Sequence, residues 1–587
     1  MFVTDPYVKH ALEVSGEIAN YEEIISAEPS RNTREAFERD HAFVDEKFRQ
    51  HTALVVRRLI ELHGARYDER FWRKALSLAL LRHVSLCFDL FQRCEASLRP
   101  SEHACSILSE PSFYVPRDFN DHRRFFQHSD YGQEQLFSIY CRLFHRGVFD
   151  EWTDQHEWPT FEPVAATSTN VSRSWGDRLN PRRAIRHVLR TRNPTVGILN
   201  SYFSQENVDR LLIESRGRIQ SIFPPNPRPA TSAIDWQGRD RLSRPDDTFD
   251  RFDNFAFQAL RYGMPRAFLE DAPALISAFE SFFSDYPRLR WVVSEAWISD
   301  MFSSLALAVL GSRGVRHLYN EHNYISHPFL GSNLKYLLPL VDEFSTLGWK
   351  SDHPKVVTGA SLFPWAARSK SKCPAGILYV SSLPQVRAPE ISSCYGEAGP
   401  VNVPRYFVFV REFLDSLSER TLREVTFRSY PPRKTGAMQV YDLRHVLGCR
   451  LSRMKRIDDS SPSASALMCQ AKLVVVDYLS TAYLEALMLD VPTIFFWNRY
   501  TRYVEYDHRN FFDTLLTAGI CQTDPTEAAR FVEEIGEDPD RWWKSQIVRE
   551  ARQRFLNDNM SGPKVMIDHL LRHSLEKPSH RILASCP

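Results

Sequence analysis

The sequence predicts an α/β protein in which a helix-rich N-terminal region precedes two Rossmann-like domains that face a cleft. From residue 195 onward, short β-branched or apolar runs alternate with segments of helical spacing, which is typical of parallel sheets covered by helices. Before residue 165, apolar residues recur mainly at helical spacing. We therefore expect a helical region at 1–165, a connector at 166–194, a first domain at 195–372 and a second domain with C-terminal helices at 373–587.

The N-terminal region contains three predicted helices. They are Arg34–Leu62, Arg70–Arg93 and Gln133–Phe144. The second carries an apolar stripe wide enough to be buried against other helices. Its longest apolar stretch is interrupted by Arg82 and His83, so we expect it to be too short to span a bilayer.

The first α/β domain contains four strand-like runs separated by helical segments. The predicted strands are Val196–Asn200, Arg290–Ser294, Val315–Tyr319 and Leu340–Leu347. The predicted helices are Gln205–Arg216, Phe255–Tyr262, Pro273–Phe283 and Ser299–Gly311. The segment Phe223–Asp253 is rich in proline and charge, and we expect a long loop there.

The second α/β domain repeats this alternation. The predicted strands are Gly376–Val380, Glu424–Arg428, Leu473–Val476 and Val491–Trp497. Helices are predicted at Arg405–Leu417, around Tyr483–Met488, at Asp524–Ile535 with Asp524 as its cap, and at Trp542–Asn557 as the final helix.

The net charge, the cysteines and the N-terminal segment argue against a nucleic-acid-binding protein and against a secreted one. The 587 residues carry a formal net charge of +1, which gives no global attraction for nucleic acid. The basic clusters Arg182–Arg192 and Arg444–Arg456 are interpreted as solvated surface, with peripheral contact with anionic lipid as the alternative. The ten cysteines form no CxxC pair, and the N-terminus does not resemble a signal peptide. We therefore expect a cytoplasmic protein, with peripheral association at the inner face of the cytoplasmic membrane left open.

Common catalytic motifs are absent. The sequence has no P-loop, GxGxxG, HExxH or GxSxG pattern. The nearest acidic pairs, Asp246-Asp247 and Asp458-Asp459, lie in charged, loop-like surroundings, so no metal site is predicted. Two facing domains without these motifs favour a ligand held in the cleft between them.

The strand ends of the second domain offer polar groups suited to a sugar nucleotide. Candidate donor-binding residues are Ser381, Ser382, Arg428, Ser480, Thr481 and Glu485. Hydroxyls, backbone N–H groups and a guanidinium suit phosphate, while a carboxylate suits ribose hydroxyls. The alternatives are that Ser480 and Thr481 are helix caps, that Glu485 is a solvated helix residue and that Arg428 forms a structural ion pair.

Two residues at strand ends of the first domain are candidate catalytic groups. His322 can take a proton from an acceptor hydroxyl, and a neighbouring carboxylate would raise its basicity. Glu295 follows the neighbouring strand, where it can act as a second base or as an orienting group. The alternative for His322 is an ordinary hydrogen-bonded loop residue.

Several segments resemble a family of bacterial transferases assigned to surface-carbohydrate (LPS or capsule) synthesis. They are Tyr319–Trp349, which ends in Gly-Trp, the segment Val474–Asn498, the segment Phe511–Ile535, the segment Arg541–Phe555 and the early helix Phe71–Arg93. More distantly, the chain resembles GT-B transferases such as the Kdo transferases of capsule synthesis and the CDP-glycerol glycerophosphotransferases. Related chains commonly have Gln-His-Gly where this one has Glu321-His322-Asn323.

The resemblance implies a GT-B-like pair of domains, nucleotide bound mainly by the second domain, and neither an essential metal nor a cofactor. His322 then falls near the acceptor, and Ser480, Thr481 and Glu485 fall where the donor nucleotide would bind. The expected function is glycosyl transfer from a nucleotide-activated sugar, with a CMP-linked sugar as one candidate. The acceptor would be a glycan or lipid-linked glycan of an O-antigen or capsule polysaccharide. The alternatives are a CDP-alditol phosphotransferase and a non-catalytic glycan- or nucleotide-binding subunit of an assembly complex.

Overall fold

The structure, a computed structural model, describes residues 2–4, 24–26, 33–97, 105–144, 149–153, 188–189, 193–199, 201–225, 233–295, 301–322, 325–362, 373–387, 399, 401–429, 441, 443, 447–457 and 463–576. Within these ranges, two six-stranded sheets form the centres of two α/β domains, and a helical region precedes them. The α/β class predicted from the sequence is confirmed.

The N-terminal region is mainly helical. Its elements are β1 (Phe2–Thr4), β2 (Ile24–Ser26), α1 (Arg34–His63), α2 (Glu69–Ser97), β3 (Cys105–Leu108), α3 (Phe119–His122), a π-helical turn (Arg123–Gln127), α4 (Asp130–Phe144) and β4 (Phe149–Trp152). The strands form two small parallel pairs, β1 with β2 and β3 with β4. Thr33 begins α1 by accepting a hydrogen bond from the Ala36 N–H, and Gly64 ends it with a φ of 83° that favours glycine.

Helix α2 lies in the protein core. By length and composition alone, its segment Glu69–Ala96 would suffice to cross a membrane, so the expectation that this stretch is too short to span a bilayer is wrong. In the structure, 78% of its most apolar window is buried inside the protein, as in a core helix of a soluble domain. No other helix among the described residues meets the same criteria.

A buried ionic network joins the N-terminal helices to the first α/β domain. The Lys47 ammonium of α1 donates to Asp250 at 2.7 Å and to Asp253 at 2.8 Å. His51, one turn further along α1, lies 2.7 Å from the other oxygen of Asp253. Because Lys47 and Asp253 are both buried, each needs the other as a partner.

The first sheet is entirely parallel. Its strands are β5 (Val196–Ile198), β6 (Ile219–Ser221), β7 (Trp291–Ser294), β8 (Arg316–Asn320), β9 (Glu343–Ser345) and β10 (Val356–Val357). They lie in the order β10-β9-β8-β7-β5-β6. The chain reverses direction across the sheet between β5 and β7, which is the topological switch point of this domain.

The helices of the first domain largely match the prediction. They are α5 (Gln205–Glu214), α6 (Trp236–Ser243), α7 (Arg251–Gly263), α8 (Ala272–Ser284), α9 (Met301–Ser312) and the short α10 (Leu334–Leu337). The loop predicted at Phe223–Asp253 is wrong, because α6 and the start of α7 lie within it. Asp235 caps α6, and the buried Arg239 holds it through an ion pair with Glu270 rather than through an apolar stripe.

The second sheet is also parallel and has the strand order typical of Rossmann domains. Its strands are β11 (Ile377–Val380), β12 (Val425–Arg428), β13 (Arg456–Ile457), β14 (Leu473–Val476), β15 (Thr493–Phe496) and β16 (Cys521–Gln522). They lie in the order β13-β12-β11-β14-β15-β16, so the switch point falls between β11 and β14. All four residues of β14 are buried, as expected for an apolar strand in the centre of a parallel sheet.

Ten helices follow within the described part of residues 373–587. They are α11 (Val403–Asp415), α12 (Glu419–Leu422), α13 (Arg450–Arg453), α14 (Ala464–Met468), α15 (Thr481–Met488), α16 (Asp513–Thr517), α17 (Pro525–Ile535), α18 (Pro539–Trp543), α19 (Gln546–Asn559) and α20 (Pro563–Leu575). Asp524 caps α17 as predicted, by accepting from the Glu527 N–H.

The C-terminal helices differ from the single final helix predicted at Trp542–Asn557. That range contains the end of α18 and most of α19, which a break at Lys544 and Ser545 separates, and α20 follows. Helix α20 packs its buried residues Met566, Ile567 and Leu570 with the strands of the first sheet. The chain thus returns to the first domain after completing the second.

The carboxyl edges of the two sheets face each other. The segment after β8 pairs with the segment after β15 through the antiparallel bridge Phe329–Val504 and a 3.0 Å hydrogen bond from the Leu330 N–H to the Tyr503 carbonyl. A second bridge joins Gly348, after β9, to Met560. A side chain at Gly348 would collide with the Met560 backbone, so this approach requires glycine.

Candidate functional site

The candidate site lies at the facing carboxyl edges of the two sheets. In open α/β sheets, ligands bind outside the carboxyl ends of the strands at the switch point. In the second sheet these are the ends of β11 and β14, which lead into Ser381 and Asp477. In the first sheet they are the ends of β5 and β7, and Glu295 follows β7 directly. The predicted site residues therefore follow strands that end at these two facing edges.

Asp477 organises the switch point of the second sheet. Its carboxylate accepts hydrogen bonds from the hydroxyls of Tyr379 and Tyr406, each at 2.9 Å, and from the Ser382 N–H at 2.9 Å. The Ser381 hydroxyl lies 2.7 Å from the Tyr406 hydroxyl and joins the same network. Burial raises the pKa of Asp477 to about 6, and the hydrogen bonds oppose that rise. The network fixes the backbone after β11, where Ser381 and Ser382 are predicted to meet phosphate.

Ser480 and Thr481 lie at the N-terminus of α15, beside that network. Ser480 is at the N-cap position, but its side chain makes no capping hydrogen bond, so the alternative that it is a side-chain cap is wrong. The first turn of α15 carries no acidic residue. Both residues are partly exposed, and the positive end of the helix dipole lies at the carboxyl end of β14.

Glu485 and Arg428 are both buried. The Glu485 carboxylate accepts a hydrogen bond from the Ser465 hydroxyl of α14, so the alternative of a solvated helix residue is wrong, and its contact with ribose hydroxyls stays a prediction. Arg428 is the last residue of β12, in register with Val380, and its carbonyl accepts from the Ser381 N–H at 3.0 Å. The Arg428 side chain is buried at this strand end.

Glu295 occupies the switch point of the first sheet. Its carboxylate accepts from the Tyr202 N–H at 2.7 Å and from the Asn320 side-chain amide at 2.8 Å. Burial raises the pKa of Glu295 to about 7, against the effect of these two hydrogen bonds. The carboxylate therefore connects the segment after β5 to the last residue of β8.

His322 lies two residues beyond β8 and contacts the same cluster. Its ring packs on the Tyr202 ring, with centroids 4.3 Å apart and planes inclined by 39°. Glu295, through the Tyr202 N–H, fixes the residue whose ring contacts His322. Burial lowers the pKa of His322, so the imidazole is neutral at pH 7, and the same burial disfavours its protonated form.

The expectation that a neighbouring carboxylate raises the basicity of His322 is wrong for Glu321. The Glu321 carboxylate is buried and accepts from the Trp349 indole N–H at 2.7 Å, the Leu347 N–H at 3.1 Å, and the N–H and hydroxyl of Ser326. These four hydrogen bonds connect the segment after β8 to the segment after β9. Burial raises the pKa of Glu321 to about 7. Asn323, the other neighbour of His322, lies outside the described residues.

A second histidine connects the two domains beside Glu321. The His327 ring stacks on Trp349 with centroids 4.3 Å apart, and it meets the rings of His508 and Phe511 edge-on. Burial, with a smaller effect from His508, lowers the pKa of His327 to about 3. His327 therefore serves as a neutral aromatic contact between the domains rather than as a base.

Of the two acidic pairs considered from the sequence, only Asp246-Asp247 lies among the described residues. Asp246 accepts from the N–H and hydroxyl of Thr248 and closes a turn. Asp458 and Asp459 lie outside the described residues. A group with metal-ligating geometry, formed by Glu343, His569 and His573, lies at the opposite, amino edge of the first sheet.

Sequence reasoning identified the strand ends but missed several residues that organise the site. Four such residues form a hydrogen bond with a predicted site residue or with its neighbour. They are Asp477, Tyr406, Tyr202 and Asn320. Asp477 and Asn320 carry a sequence signal, since each is a polar residue at the end of a buried strand. Tyr406 and Tyr202 carry none, because only the packing of α11 and of the segment after β5 brings them in.

A family model and several solved structures are similar to this chain. The model of the LIC12162 family of transferases matches residues 2–572. No curated protein is significantly similar in sequence.

Three of the similar solved structures share 10–13% sequence identity with this chain. The glycotransferase of kitacinnamycin is 11% identical, with 65% of this chain and 100% of that chain covered, at a TM-score of 0.34. Acinetobacter baumannii MurG is 10% identical, with 65% and 98% covered, at 0.31. The glycosyltransferase SnogD from Streptomyces nogalater is 13% identical, with 65% and 100% covered, at 0.32. These TM-scores are too low to transfer any residue role to this chain.

Proposed function

This chain belongs to the LIC12162 family of transferases, and on that premise we propose that it is a glycosyltransferase. It moves a sugar from a nucleotide-activated donor to a growing cell-surface polysaccharide of the O-antigen or capsule type. The observation that carries this proposal is the pair of switch points at facing carboxyl edges, one in each domain. Such an arrangement holds two substrates against each other, as group transfer requires.

The second sheet is the proposed donor side. Its Rossmann strand order supports nucleotide binding at β11 and β14. Backbone N–H groups at the start of α15, with the hydroxyls of Ser480 and Thr481, suit a phosphate, because the helix dipole favours negative charge there. The Asp477 network holds the backbone at Ser381 and Ser382 in place before the ligand arrives.

The first sheet is the proposed acceptor side, and His322 is the proposed base. The acceptor hydroxyl oxygen attacks the anomeric carbon of the donor sugar, and the bond from that carbon to the nucleotide phosphate breaks. The hydroxyl proton passes to the neutral His322 imidazole, and the phosphate leaves with the bonding electrons. Glu295 positions Tyr202, whose ring contacts His322, so Glu295 is a positioning residue in this scheme.

The donor is a nucleotide sugar, with a CMP-linked sugar as one candidate, and the acceptor is a glycan or lipid-linked glycan. We place the reaction in the cytoplasm, at the inner face of the cytoplasmic membrane, where nucleotide sugars and growing surface glycans meet. The reaction as proposed requires no metal.

The test is nucleotide release from a panel of sugar nucleotides, with and without acceptor glycans, by purified protein. We expect release from one donor class, and we expect His322→Ala to lower the rate about 10²–10⁴-fold, the range of general base catalysis. The matched control is His353→Ala, since His353 is exposed and lies before β10, at the amino edge of the first sheet. Unchanged transfer by His322→Ala would contradict the assignment of the base. Phosphate retained in the product would show an alditol-phosphate transferase instead.

A further inference from the structure

Three potential metal ligands meet where α20 packs on the first sheet. His569 and His573 lie four residues apart on α20 and therefore share one face of the helix. Their Nε2 atoms are 3.0 Å apart, and each lies close to the same oxygen of Glu343, at 2.9 Å and 3.0 Å. Two imidazole nitrogens and one carboxylate oxygen thus form a nearly equilateral triangle.

The size of this triangle suits a zinc ion. Zinc binds histidine nitrogen and carboxylate oxygen at about 2.0–2.2 Å, so tetrahedral ligand atoms lie roughly 3.3 Å apart. The observed edges of 2.9–3.0 Å need to open by only a few tenths of an ångström. An ion at about 2.05 Å from all three atoms would lie about 1 Å above their plane, with a fourth position left for water.

Glu576 lies against the far nitrogen of one of the three ligands. His573 Nδ1 lies 2.6 Å from a carboxylate oxygen of Glu576 and donates its proton to that oxygen. His573 Nε2 faces the Glu343 oxygen and the His569 nitrogen. A carboxylate that orients the far nitrogen of a histidine is the usual outer partner of a zinc ligand.

The surroundings of the triangle indicate a structural role. Glu343 begins β9, so the triangle lies at the amino edge of the sheet, away from the candidate catalytic edge. Trp291, the first residue of β7, stacks on His573 with ring centroids 3.9 Å apart and donates its indole N–H to Glu576. Arg316, the first residue of β8, forms an ion pair with Glu576. The group therefore joins α20 to the starts of three neighbouring strands.

We propose that Glu343, His569 and His573 bind a zinc ion that fastens the C-terminal helix α20 to the first sheet. The ligand set of two histidines and one carboxylate with an open fourth position is one that zinc uses in proteins. The side chains of Glu343, His569 and His573 are 21%, 13% and 8% exposed, so the ion can enter from solvent. This site takes no part in glycosyl transfer and does not depend on the proposed function.

The test is a zinc titration of the full chain against a chromophoric chelator, together with melting curves with and without zinc. Cys373 and Cys449 are exposed thiols that can bind zinc, so the titration uses the Cys373→Ser/Cys449→Ser background. We expect one zinc ion per chain, a melting temperature raised by zinc, and a fall when the metal is chelated. Addition of zinc should reverse that fall.

Variants assign the bound zinc to this triangle. His569→Ala should weaken zinc binding at least 100-fold, while His353→Ala, the same change at an exposed histidine elsewhere, should leave it unchanged. Glu576→Gln keeps all three ligands and should weaken zinc binding about 10–100-fold, as outer-partner changes do. Zinc binding that His569→Ala does not weaken, or no stoichiometric zinc in the Cys373→Ser/Cys449→Ser background, would overturn the proposal. Because zinc binding is measured first in that background with all three ligands present, the proposal stays testable even if one ligand variant fails to fold.

Discussion

Replacing Glu295 with glutamine should change how the stability of the protein depends on pH. Burial raises the pKa of Glu295 from 4.5 to about 7 in the folded state. A carboxyl whose pKa is higher in the folded state stabilises that state most at pH values below 4.5, where it is protonated. This stabilisation is lost as the pH rises through 7. The difference of about 2.5 pKa units corresponds to about 3 kcal/mol, since each unit is 1.36 kcal/mol. Glutamine does not ionise, so Glu295→Gln lacks this loss.

The structure also indicates that glutamine fits at this position. Its carbonyl oxygen can accept from the Tyr202 N–H, as the carboxylate does. Its amide can donate to Asn320 once the Asn320 side-chain amide is turned over. Both hydrogen bonds of the carboxylate are therefore replaced, and the positions of Tyr202 and His322 should be kept.

The assay compares melting temperatures of the unsubstituted protein and Glu295→Gln from pH 4.5 to pH 8. The variant should gain stability relative to the unsubstituted protein as the pH rises, by a few degrees at pH 8. Glu61→Gln, at an exposed position of α1, is the matched control and should show a constant difference. A difference between Glu295→Gln and the unsubstituted protein that does not change with pH would refute the reasoning.

The same variants separate a positioning role from a catalytic one. Glu295→Gln should retain most of the transfer activity, because it keeps the bond to the Tyr202 N–H, whereas Glu295→Ala should lose it. Inactive Glu295→Gln with normal stability would instead make Glu295 a base.

Two other substitutions test the networks that hold the site and the N-terminal region. Lys47→Met leaves Asp253 buried without its ammonium partner and should lower the unfolding free energy by about 3–5 kcal/mol. Lys544→Met, at an exposed pair with Asp540, is the control and should leave the unfolding free energy nearly unchanged. Equal effects of the two variants in chemical denaturation would contradict the burial argument. Asp477→Ala removes the acceptor of two buried tyrosine hydroxyls and of the partly buried Ser382 N–H. It should lower the unfolding free energy by about 2–5 kcal/mol and abolish stabilisation by the nucleotide donor in melting curves. Normal nucleotide binding by a folded Asp477→Ala protein would show that the strand end needs no such support.

The regular elements could be predicted from the sequence because their patterns are local. The buried run Leu473–Val476 forms β14 as predicted, and Asp524 caps α17 as predicted. Helix α6 was missed because polar contacts of Arg239 fix it in place. Arg239 donates hydrogen bonds to Glu270 and to the carbonyl groups of Arg261 and Met264, which lie more than twenty residues further along the chain. Such contacts leave no periodic pattern of apolar residues in the sequence.

The site could be predicted only as far as strand ends. Residues directly after buried strands, such as Glu295, Ser381 and Asp477, can be located once the strands are known. The partners of their side chains come from distant segments: Tyr406 reaches Asp477 from α11, and Ser465 takes the Glu485 carboxylate. The group proposed to bind zinc could not be assembled from the sequence for the same reason, because Glu343 and α20 are more than two hundred residues apart.

Nucleotide binding by the second sheet tests the proposed donor site most directly. The measurement is a thermal-shift screen with CMP, CDP, UDP, GDP and dTDP, repeated with Ser480→Ala/Thr481→Ala and with the control Ser545→Ala at the start of α19. A nucleotide at ~100 times its dissociation constant should stabilise the protein by about 2.7 kcal/mol. We expect a shift that is selective for one nucleotide, lost in the double variant and kept in the control. No shift with any nucleotide, or a shift that the double variant retains in full, would contradict a donor site at the start of α15.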